Sequence, residues 1–313
     1  MTTLHISPTP HIHEPGSSTQ RIMLDVIIAL LPATVAGIVI FGISALWTVL
    51  TCIAATVLSE FLFNLCAGKK QTVGDLSAVV TGLLLALNLS TNVPLWQCAL
   101  GGVFAMVVVK GFYGGIGKNL VNPAIAARVF LLLAFTGTVA GGAMPVIADL
   151  TSSATPLVTI NQGAEAAKAI SLSELFLGVY GGAIGETCTI ALLLGYGYLI
   201  VRRVIKWYVP ASFAATVFVC AFLFGGFDVG YAMQHVLSGG LLLGAIFMAT
   251  DYVTTPITST GRVVFCVGAG ILTYLIRRFG GYPEGVSIAI LTMNLLTPFI
   301  SDLTKKKTLG GVK

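Results

Sequence analysis

The sequence predicts an all-α polytopic membrane protein with about ten transmembrane helices in two inverted five-helix repeats. Composition is the first observation behind this fold class: the 313 residues are 56% hydrophobic and only 9% charged. Soluble domains carry about 25% charged residues. The second observation is a series of apolar segments close to the length that crosses a bilayer. The third is the uneven distribution of lysine and arginine between the two predicted sides of the membrane.

The apolar segments form two groups of five, separated by a long polar stretch. The third and fourth segments are short. Pro94 and glycine-rich joints in this region indicate broken or re-entrant helices. Such helices are stable in a membrane only where the surrounding protein shields their backbone. The predicted spans are 23–41, 44–66, 76–90, 95–110 and 121–138, then 181–203, 208–225, 231–249, 261–278 and 284–301.

Lysine and arginine predict the orientation, because they favour cytoplasmic loops. With the N terminus in the cytoplasm, 14 of the 17 basic residues, Arg128 among them, lie inside, and Lys168, Arg277 and Arg278 lie outside. Both termini are then cytoplasmic. The net charge of +5 reflects this loop bias, and no basic soluble segment indicates nucleic-acid binding. The N-terminal residues lack the apolar core of a cleavable signal peptide.

Two pairs of similar segments indicate an internal repeat. KGFYGG at 110–115 ends the fourth span and RRFGGY at 277–282 ends the ninth; TGLLL at 81–85 opens the third span and GGLLL at 239–243 lies in the eighth. Because an odd number of spans leaves the chain on the opposite side of the membrane, the second copy must be inverted relative to the first. Chance similarity of the glycine pairs is the alternative. The predicted parts are a cytoplasmic tail 1–20, a first repeat 21–138, an extracytoplasmic loop 139–180, a second repeat 181–302 and a basic cytoplasmic tail 303–313.

The outer loop contains DLTSSAT at 149–155, which is similar to the acceptor site at which a flavin transferase esterifies FMN to threonine. Thr155 supplies the hydroxyl, and Pro156 keeps it out of a helix. Ser153 and Ala154 leave room for the donor, and Asp149 orients the donor or its metal ion. An ordinary loop rich in serine and threonine is the alternative, because such clusters are common in turns.

A second motif is KGFYGGIGKNLVNPA at 110–124. Its glycines let the backbone approach a ligand closely, and the Asn-Pro pair is typical of a helix start. Helix N termini favour anions or carbonyl-like acceptors. Tight packing at a broken helix is the alternative. The predicted cofactor-binding residues here are Gly114, Gly115, Asn119, Asn122 and, on the fifth span, Arg128.

The third motif, MATDYVTTP at 248–256, adds Thr250 and Asp251 as predicted cofactor-binding residues at the cytoplasmic membrane edge. A solvated loop acid is the alternative for Asp251. Acids in or beside apolar segments are costly and often functional, so the candidates for a cation path are Asp25, Glu60, Glu186 and Asp251. Interfacial or capping acids are the alternative. The scattered cysteines predict no metal site, and His235 is expected to be packed or interfacial.

Together with the His-Ile-His sequence of the N-terminal tail, these motifs resemble the D-type subunits of the Rnf complexes, a family similar to the B-type subunits of the sodium-translocating NADH:quinone reductase. The resemblance covers essentially the full chain. Ser153 is a departure, because the family motif usually has glycine before the Ala-Thr pair, and it loosens the match to the transferase site while keeping a small residue.

The resemblance implies a urea-transporter-like fold, FMN esterified to Thr155 and a second, non-covalent flavin, riboflavin, nearer the cytoplasmic half. It implies a translocase that couples electron flow between reduced ferredoxin and NAD to export of Na⁺ or H⁺ across a bacterial or archaeal cytoplasmic membrane. This chain would be an electron carrier, not active alone and without catalytic residues of its own. Its partners would be subunits with iron–sulfur clusters, another covalent FMN and the NADH site, and a flavin transferase for maturation.

Two other functions fit the same scaffold. A transporter or channel without redox function predicts no bound flavin and a substrate path between the repeats. A passive membrane anchor for redox partners predicts that Thr155 is dispensable for electron transfer. The DLTSSAT loop favours the redox hypothesis, because neither alternative needs a flavin acceptor outside the membrane.

Overall fold

The computed structural model describes residues 18–143, 145–146, 156–178, 180–280 and 284–305. These residues form a helical protein, which confirms the predicted all-α polytopic class. Within the described residues, the only isolated bridge joins Ala143 to Gly182, with N···O distances of 3.1 and 3.2 Å. Much of both tails lies outside the described residues, as do the predicted sites Asp149, Ser153, Ala154 and Thr155.

The first half begins with two long helices that a single glycine, Gly42, separates. A 3₁₀ turn, Val73–Asp75, precedes the third helix, and the fourth helix continues directly as a π-helix, Phe104–Gly111. The helices of this half are α1 (Thr19–Phe41), α2 (Ile43–Cys66), α3 (Ser77–Leu87), α4 (Leu95–Val103), α5 (Pro123–Ala134) and α6 (Thr136–Val139).

Three short helices follow in the predicted outer loop, where the sequence predicted no helix: α7 (Pro156–Asn161), α8 (Ala164–Ala167) and α9 (Leu172–Leu177). In the second half, α13 also continues as a π-helix, Gly244–Met248. The helices of this half are α10 (Thr189–Val201), α11 (Tyr208–Phe224), α12 (Val229–Leu237), α13 (Leu241–Leu243), α14 (Ser259–Phe279) and α15 (Val286–Leu303).

By length and composition, four described helices can cross a membrane alone: α1, α2, α14 and α15. A fifth candidate is the pair α12 and α13 with its π-helical continuation, which bends by 63° at residues 238–240. Further apolar helices are shorter: α3, α4 with its continuation, α5, α10 and α11. Each predicted apolar segment therefore overlaps a helix, but only four or five are long enough to span unaided.

The two halves pack in the same internal pattern. In the first, α2 contacts α3 and α4; in the second, α11 contacts α12 and α14. Between the halves, α1 packs on α10 and α5 packs on α15. Glycines permit the close crossings. Gly82 lies against α2, where an added Cβ would fall 2.5 Å from Thr56 Oγ1. Gly270 lies against α11, where an added Cβ would fall 2.7 Å from Thr216 Cβ. Small residues at helix crossings are typical of membrane bundles.

Candidate functional site: a pocket between the two halves

A pocket with an empty volume of about 800 Å³ lies where the two halves meet. Its walls come from α1, α3 and the 110–123 segment of the first half, and from α10, the turn after it and the 246–253 segment of the second. Most of the lining is apolar. The polar lining residues are Ser77, Thr81, Lys110, Asn119, Asn122, Thr250, Asp251 and Tyr252. We call this the central pocket.

The central pocket brings together four of the predicted cofactor-binding residues, which lie far apart in sequence: Asn119, Asn122, Thr250 and Asp251. The second and third sequence motifs therefore meet at one site. In the predicted orientation, this site opens toward the cytoplasm.

Asn122 sets the start of α5, as the sequence predicted. Its Oδ1 accepts hydrogen bonds from the backbone N–H groups of Ala124 at 3.0 Å and Ile125 at 3.4 Å, and Pro123 occupies the first turn. This is the usual arrangement of an N-cap followed by proline. The N terminus of α5 thereby lies in the pocket wall.

Asp251 is held in a tight loop after the π-helix of the second half. Its carboxylate accepts from Val253 N–H at 3.3 Å and from the Thr254 hydroxyl at 3.1 Å. The Thr255 hydroxyl donates to the Asp251 carbonyl at 2.5 Å. Asp251 is half-buried and lines the pocket, so it is not the freely solvated loop acid of the alternative interpretation.

Asn294, in the middle of α15, joins the two motifs and was not singled out from the sequence. With its amide oriented to satisfy both neighbours, its oxygen accepts from Asn122 N–H and its nitrogen donates to the Thr254 carbonyl, each at 3.2 Å. Asn294 is fully buried. A lone amide within an apolar segment is a signal that sequence analysis could have used.

Lys110 forms part of the pocket wall and is buried. Its Nζ donates to Glu60 Oε1 at 2.6 Å and to Ser77 Oγ at 2.6 Å. The Thr72 hydroxyl donates to the same Glu60 oxygen at 2.7 Å. Glu60, a predicted ion-path acid, is therefore neutralised by a buried partner.

Lys110 also lines an adjacent pocket of about 580 Å³, to which Gly114 and Gly115 contribute. The structure thus places these two predicted cofactor-binding glycines beside the central pocket rather than in it. Both have positive φ, 107° and 100°, so they shape the turn that carries the chain from the π-helix toward Asn119.

Arg128 lies away from the central pocket, contrary to its predicted place. Its Nη2 contacts Glu284 Oε2 at 2.8 Å, and Nη1 donates to the Val139 carbonyl at 3.2 Å. The Glu284 carbonyl also accepts from Arg277 Nε at 3.1 Å. Glu284 therefore joins Arg128, predicted to lie inside, to Arg277, predicted to lie outside.

The remaining predicted ion-path acids have different surroundings. Asp25 accepts from the Tyr198 hydroxyl at 2.8 Å and from Arg202 Nε at 3.2 Å, so it joins α1 to α10 as a paired acid. Glu186 is 4% exposed, and its Oε1 accepts from Ala183 N–H at 3.0 Å. It lies within electrostatic range of Arg128, Arg277 and Glu284.

Metal-binding clusters are absent from the described part of the chain: no three His, Cys, Asp or Glu side chains lie together. The cysteines are free thiols. His235 packs between the rings of Tyr231 and Tyr274, at centroid distances of 4.6 and 5.7 Å. This confirms the prediction of a packed histidine.

The predicted attachment loop leads directly into α7. Leu157, two residues after Thr155, is fully buried and lies against Gly239 at the bend of the second half, where a Cβ would collide with it. The peptide that follows Thr155 is therefore anchored on the second half.

These features define a class: a polytopic helical membrane protein with a pocket between two similarly packed halves. The particular family follows from comparison with known proteins. The family model described as NQR2, RnfD, RnfE matches residues 5–310, and the chain belongs to this family.

Curated relatives are similar over nearly the full length. The D-type subunit of the Na(+)-translocating ferredoxin:NAD(+) oxidoreductase complex of Acetobacterium woodii is 43% identical, covering 99% of this chain and 96% of the relative. The D-type subunit of the proton-translocating ferredoxin:NAD(+) oxidoreductase complex of Clostridium ljungdahlii is 38% identical, covering 97% and 96%. The D-type subunit of the ion-translocating oxidoreductase complex of Stutzerimonas stutzeri is 37% identical, covering 94% and 93%.

Proposed function

We propose that this chain is the D-type membrane subunit of an ion-translocating ferredoxin:NAD(+) oxidoreductase complex, in which it carries electrons. The observation that carries the proposal is similarity over nearly the whole chain to relatives that bear this name. The central pocket supports it, because the two motifs that carry the resemblance converge there. The complex as a whole is the translocase, and this subunit works only beside its partners.

Thr155 is the proposed attachment point of FMN through a phosphoester. The support is the DLTSSAT sequence and the anchoring of the next helix through Leu157. Ser153 and Ala154 leave space for the donor of the transferase, and Asp149 orients it. Anchoring the peptide after the attachment residue limits how far the cofactor can move, which an electron carrier needs because transfer depends on distance.

The central pocket is the proposed site of the non-covalent riboflavin. Its lining is mostly apolar with a few placed polar groups, which is the usual composition of small-molecule sites. Asn119 Oδ1 is buried and has no hydrogen-bond partner within the described residues. An amide oxygen in this state suits the N–H group of a flavin ring.

The chain's own contribution in this pocket is binding and electrostatics, and the flavin supplies the electron-transfer chemistry when bound. Leu84 and Phe247 form apolar walls that exclude water and so strengthen electrostatic interactions. The buried Lys110–Glu60 pair adds a neutral, polar element to the wall. Asn122 and Asn294 hold the N terminus of α5 against the 254 segment, which fixes the spacing of the two halves around the ligand.

The proposed topology is ten spans in two inverted repeats, with both termini cytoplasmic and the Thr155 loop outside a bacterial or archaeal cytoplasmic membrane. Matched contacts support the repeat. Aligning Thr81 with Gly239 also aligns Ser77 with His235. Lys110, at the end of the fourth helix, donates to Ser77, and Arg277, at the end of its counterpart, donates to the His235 carbonyl.

The coupling ion is Na⁺ or H⁺, since the names of the relatives include both. Among the predicted ion-path acids, Asp25 and Glu60 have cationic partners within hydrogen-bond distance. Asp251 and Glu186 form no salt bridge within the described residues, so they are the stronger candidates to interact with a moving cation. The proposed partners are the iron–sulfur, second-flavin and NADH-site subunits, and a flavin transferase.

The experiment compares flavin content in purified Asn119→Leu and Asn161→Leu chains. Asn161, on α7, also has a buried amide oxygen without a partner in the described structure, so it is a matched control remote from the pocket. Acid precipitation releases non-covalent flavin for chromatography. We expect the control to match the unmodified chain and Asn119→Leu to retain about tenfold less riboflavin, because the ring loses a buried hydrogen-bond partner. Equal loss in both variants, or no flavin in any preparation, would favour the transporter alternative.

A further inference from the structure

A basic pocket lies beside the central pocket, on the predicted cytoplasmic side. It has an empty volume of about 570 Å³, between the turn that follows α10 and the loop that precedes α14. Three cations, Arg203, Lys206 and Arg262, line it together with Thr250 and Tyr252. We propose that this basic pocket binds the phosphate headgroup of an anionic phospholipid of the inner leaflet.

The three cations of the basic pocket have no direct acidic partner in the described part of the chain. No acidic side chain lines the pocket, and Arg203, Lys206 and Arg262 form no salt bridge within the described residues. Their neighbour Arg202, in contrast, is paired with Asp25 at 3.2 Å. Three positive charges around one cavity repel each other, and an anion in the cavity offsets that repulsion.

The backbone at Arg203 also points to a ligand. Arg203 has a φ of 57°, in the left-handed region that favours glycine. The turn is closed by two backbone hydrogen bonds, from Arg203 N–H to Ile200 O and from Val204 N–H to Leu199 O, each at 2.9 Å. Glycine would form the same turn with less strain. An arginine here is explained if its guanidinium has a ligand.

Arg262 is fixed at the opposite wall. Its Nε donates to the Pro256 carbonyl at 3.1 Å, which holds the side chain in place. Its terminal nitrogens make no further hydrogen bond within the described residues and remain available to a ligand. A guanidinium binds phosphate oxygens through two parallel hydrogen bonds, and the ammonium of Lys206 completes a polar cradle.

The surroundings fit a lipid better than a free anion. Trp207 is 64% exposed beside the pocket, and Val201 and Ile257 are 80% and 83% exposed. Tryptophan and tyrosine are enriched at the level of lipid headgroups, and basic pockets on the cytoplasmic side of membrane helices are typical binding sites for anionic headgroups. Exposed apolar side chains next to the cations offer a surface for acyl chains, which inorganic phosphate does not have.

The test measures lipid binding to the full-length chain, delipidated in neutral detergent, by native mass spectrometry during titration. The probes are phosphatidylglycerol, phosphatidylcholine and inorganic phosphate. The pocket variant is Arg203→Gln/Lys206→Gln/Arg262→Gln. The control variant, Lys69→Gln/Lys70→Gln/Lys305→Gln, removes the same charge from other exposed positions of the predicted inner side.

We expect phosphatidylglycerol to bind more tightly than phosphatidylcholine, and the control variant to keep this preference. The pocket variant should bind phosphatidylglycerol about a hundredfold more weakly, since each basic residue near the surface contributes about fivefold to affinity for anionic lipid. Equal affinity for the two lipids would overturn the proposal. Equal weakening in both triple variants, or full competition by inorganic phosphate, would also overturn it.

A single variant separates lipid binding from folding. Arg203→Gly keeps the left-handed turn, relieves its strain and removes one cation. We expect its thermal unfolding midpoint in lipid-free detergent to be equal or higher, and its affinity for phosphatidylglycerol to fall about fivefold. Unchanged affinity in a stable Arg203→Gly chain would contradict the assignment of Arg203 to the headgroup.

Discussion

Lys110 lies in the wall between the central pocket and the neighbouring glycine-lined pocket, and its charge is balanced locally. Its side chain is 5% exposed, as is that of Glu60, and Nζ lies 2.6 Å from the carboxylate. Ser77 and Thr72 satisfy further hydrogen-bonding capacity of the pair. A buried pair of this kind adds little net stability over an apolar replacement, yet removing one partner is costly.

Replacing Lys110 alone should therefore destabilise the chain more than replacing both partners. We expect Lys110→Met to lower the free energy of unfolding by about 3–5 kcal/mol, because it leaves Glu60 charged and buried. The double variant Lys110→Met/Glu60→Leu should recover most of this loss. The measurement is reversible unfolding in mixed detergent micelles, followed by tryptophan fluorescence. A double variant less stable than Lys110→Met would contradict this explanation of the pair.

Residues of the central pocket were partly predictable. Asn119, Asn122, Thr250 and Asp251 belong to motifs rich in glycine or threonine at helix ends, where local sequence is informative. Lys110 was expected as an inner basic residue but not as a pocket wall, because its partner Glu60 is 50 positions away. Asn294 and the position of Arg128 were missed for the same reason: both depend on contacts between the two halves.

At the scale of elements, the break between α12 and α13 is the centre of the second half. Arg277 donates to the carbonyls of His235, Ser238 and Gly239, so a guanidinium replaces the backbone partners that the broken helix has lost. Leu157 packs against the same point. The break, the ninth predicted span and the attachment loop are therefore held together.

A side chain at Gly239 should destabilise the protein more than a side chain at a glycine that has similar backbone angles but no close neighbours. Gly239 has a φ of 70° and Gly226 a φ of 76°, so alanine at either position costs about 1–2 kcal/mol in strain. At Gly239 the new Cβ would also collide with Leu157 and approach Arg277, whereas Gly226 has no atom within 4 Å. Overpacking adds about 1–3 kcal/mol.

The comparison uses thermal unfolding of purified Gly239→Ala and Gly226→Ala chains. We expect greater destabilisation at Gly239. We also expect faster proteolysis of the 139–180 loop, because Leu157 can no longer pack against residue 239. If the two variants had the same unfolding midpoint and the same proteolysis rate, the packing of α7 on the break would be wrong.

The positions of helices could be predicted where the sequence contains residues that typically start or end a helix. Asn122-Pro123 gave the start of α5 correctly, and the apolar segments located the helices. The bend was expected in the third and fourth spans; in the eighth, hydropathy alone does not distinguish a straight helix from one bent at Gly239-Gly240. The short helices α7–α9 were not predicted, because their stability comes from packing on α12 rather than from a long periodic pattern.

At the scale of the whole molecule, the two halves meet through matching helices, α1 with α10 and α5 with α15. Each of these contacts joins a helix of one half to the helix at the same position in the other half, which is the arrangement that a two-fold relation produces. It places the central pocket at the junction of the halves, where inverted-repeat proteins have their ligand sites. With the proposed five spans per half, the 139–180 loop and the C terminus lie on opposite sides of the membrane.

Cysteine labelling tests this topology with two comparable surface positions. The side chains of Glu165 and Lys305 are 89% and 72% exposed, and each forms a local ion pair. In a Cys66→Ser chain, Glu165→Cys should react with a membrane-impermeant maleimide in intact spheroplasts, and Lys305→Cys only after lysis. The Cys66→Ser chain alone is the background control. Labelling of both positions from the same side would contradict the inverted arrangement.

The covalent flavin proposed at Thr155 is the feature on which the redox function depends, and in-gel fluorescence of the denatured protein tests it most directly. The chain is coexpressed with a flavin transferase and compared with Thr155→Val and with Thr159→Val, a nearby threonine on α7. We predict a fluorescent band for the unmodified chain and the Thr159→Val control, and a dark band for Thr155→Val. A dark band for the unmodified chain, or fluorescence that persists in Thr155→Val, would contradict the proposal.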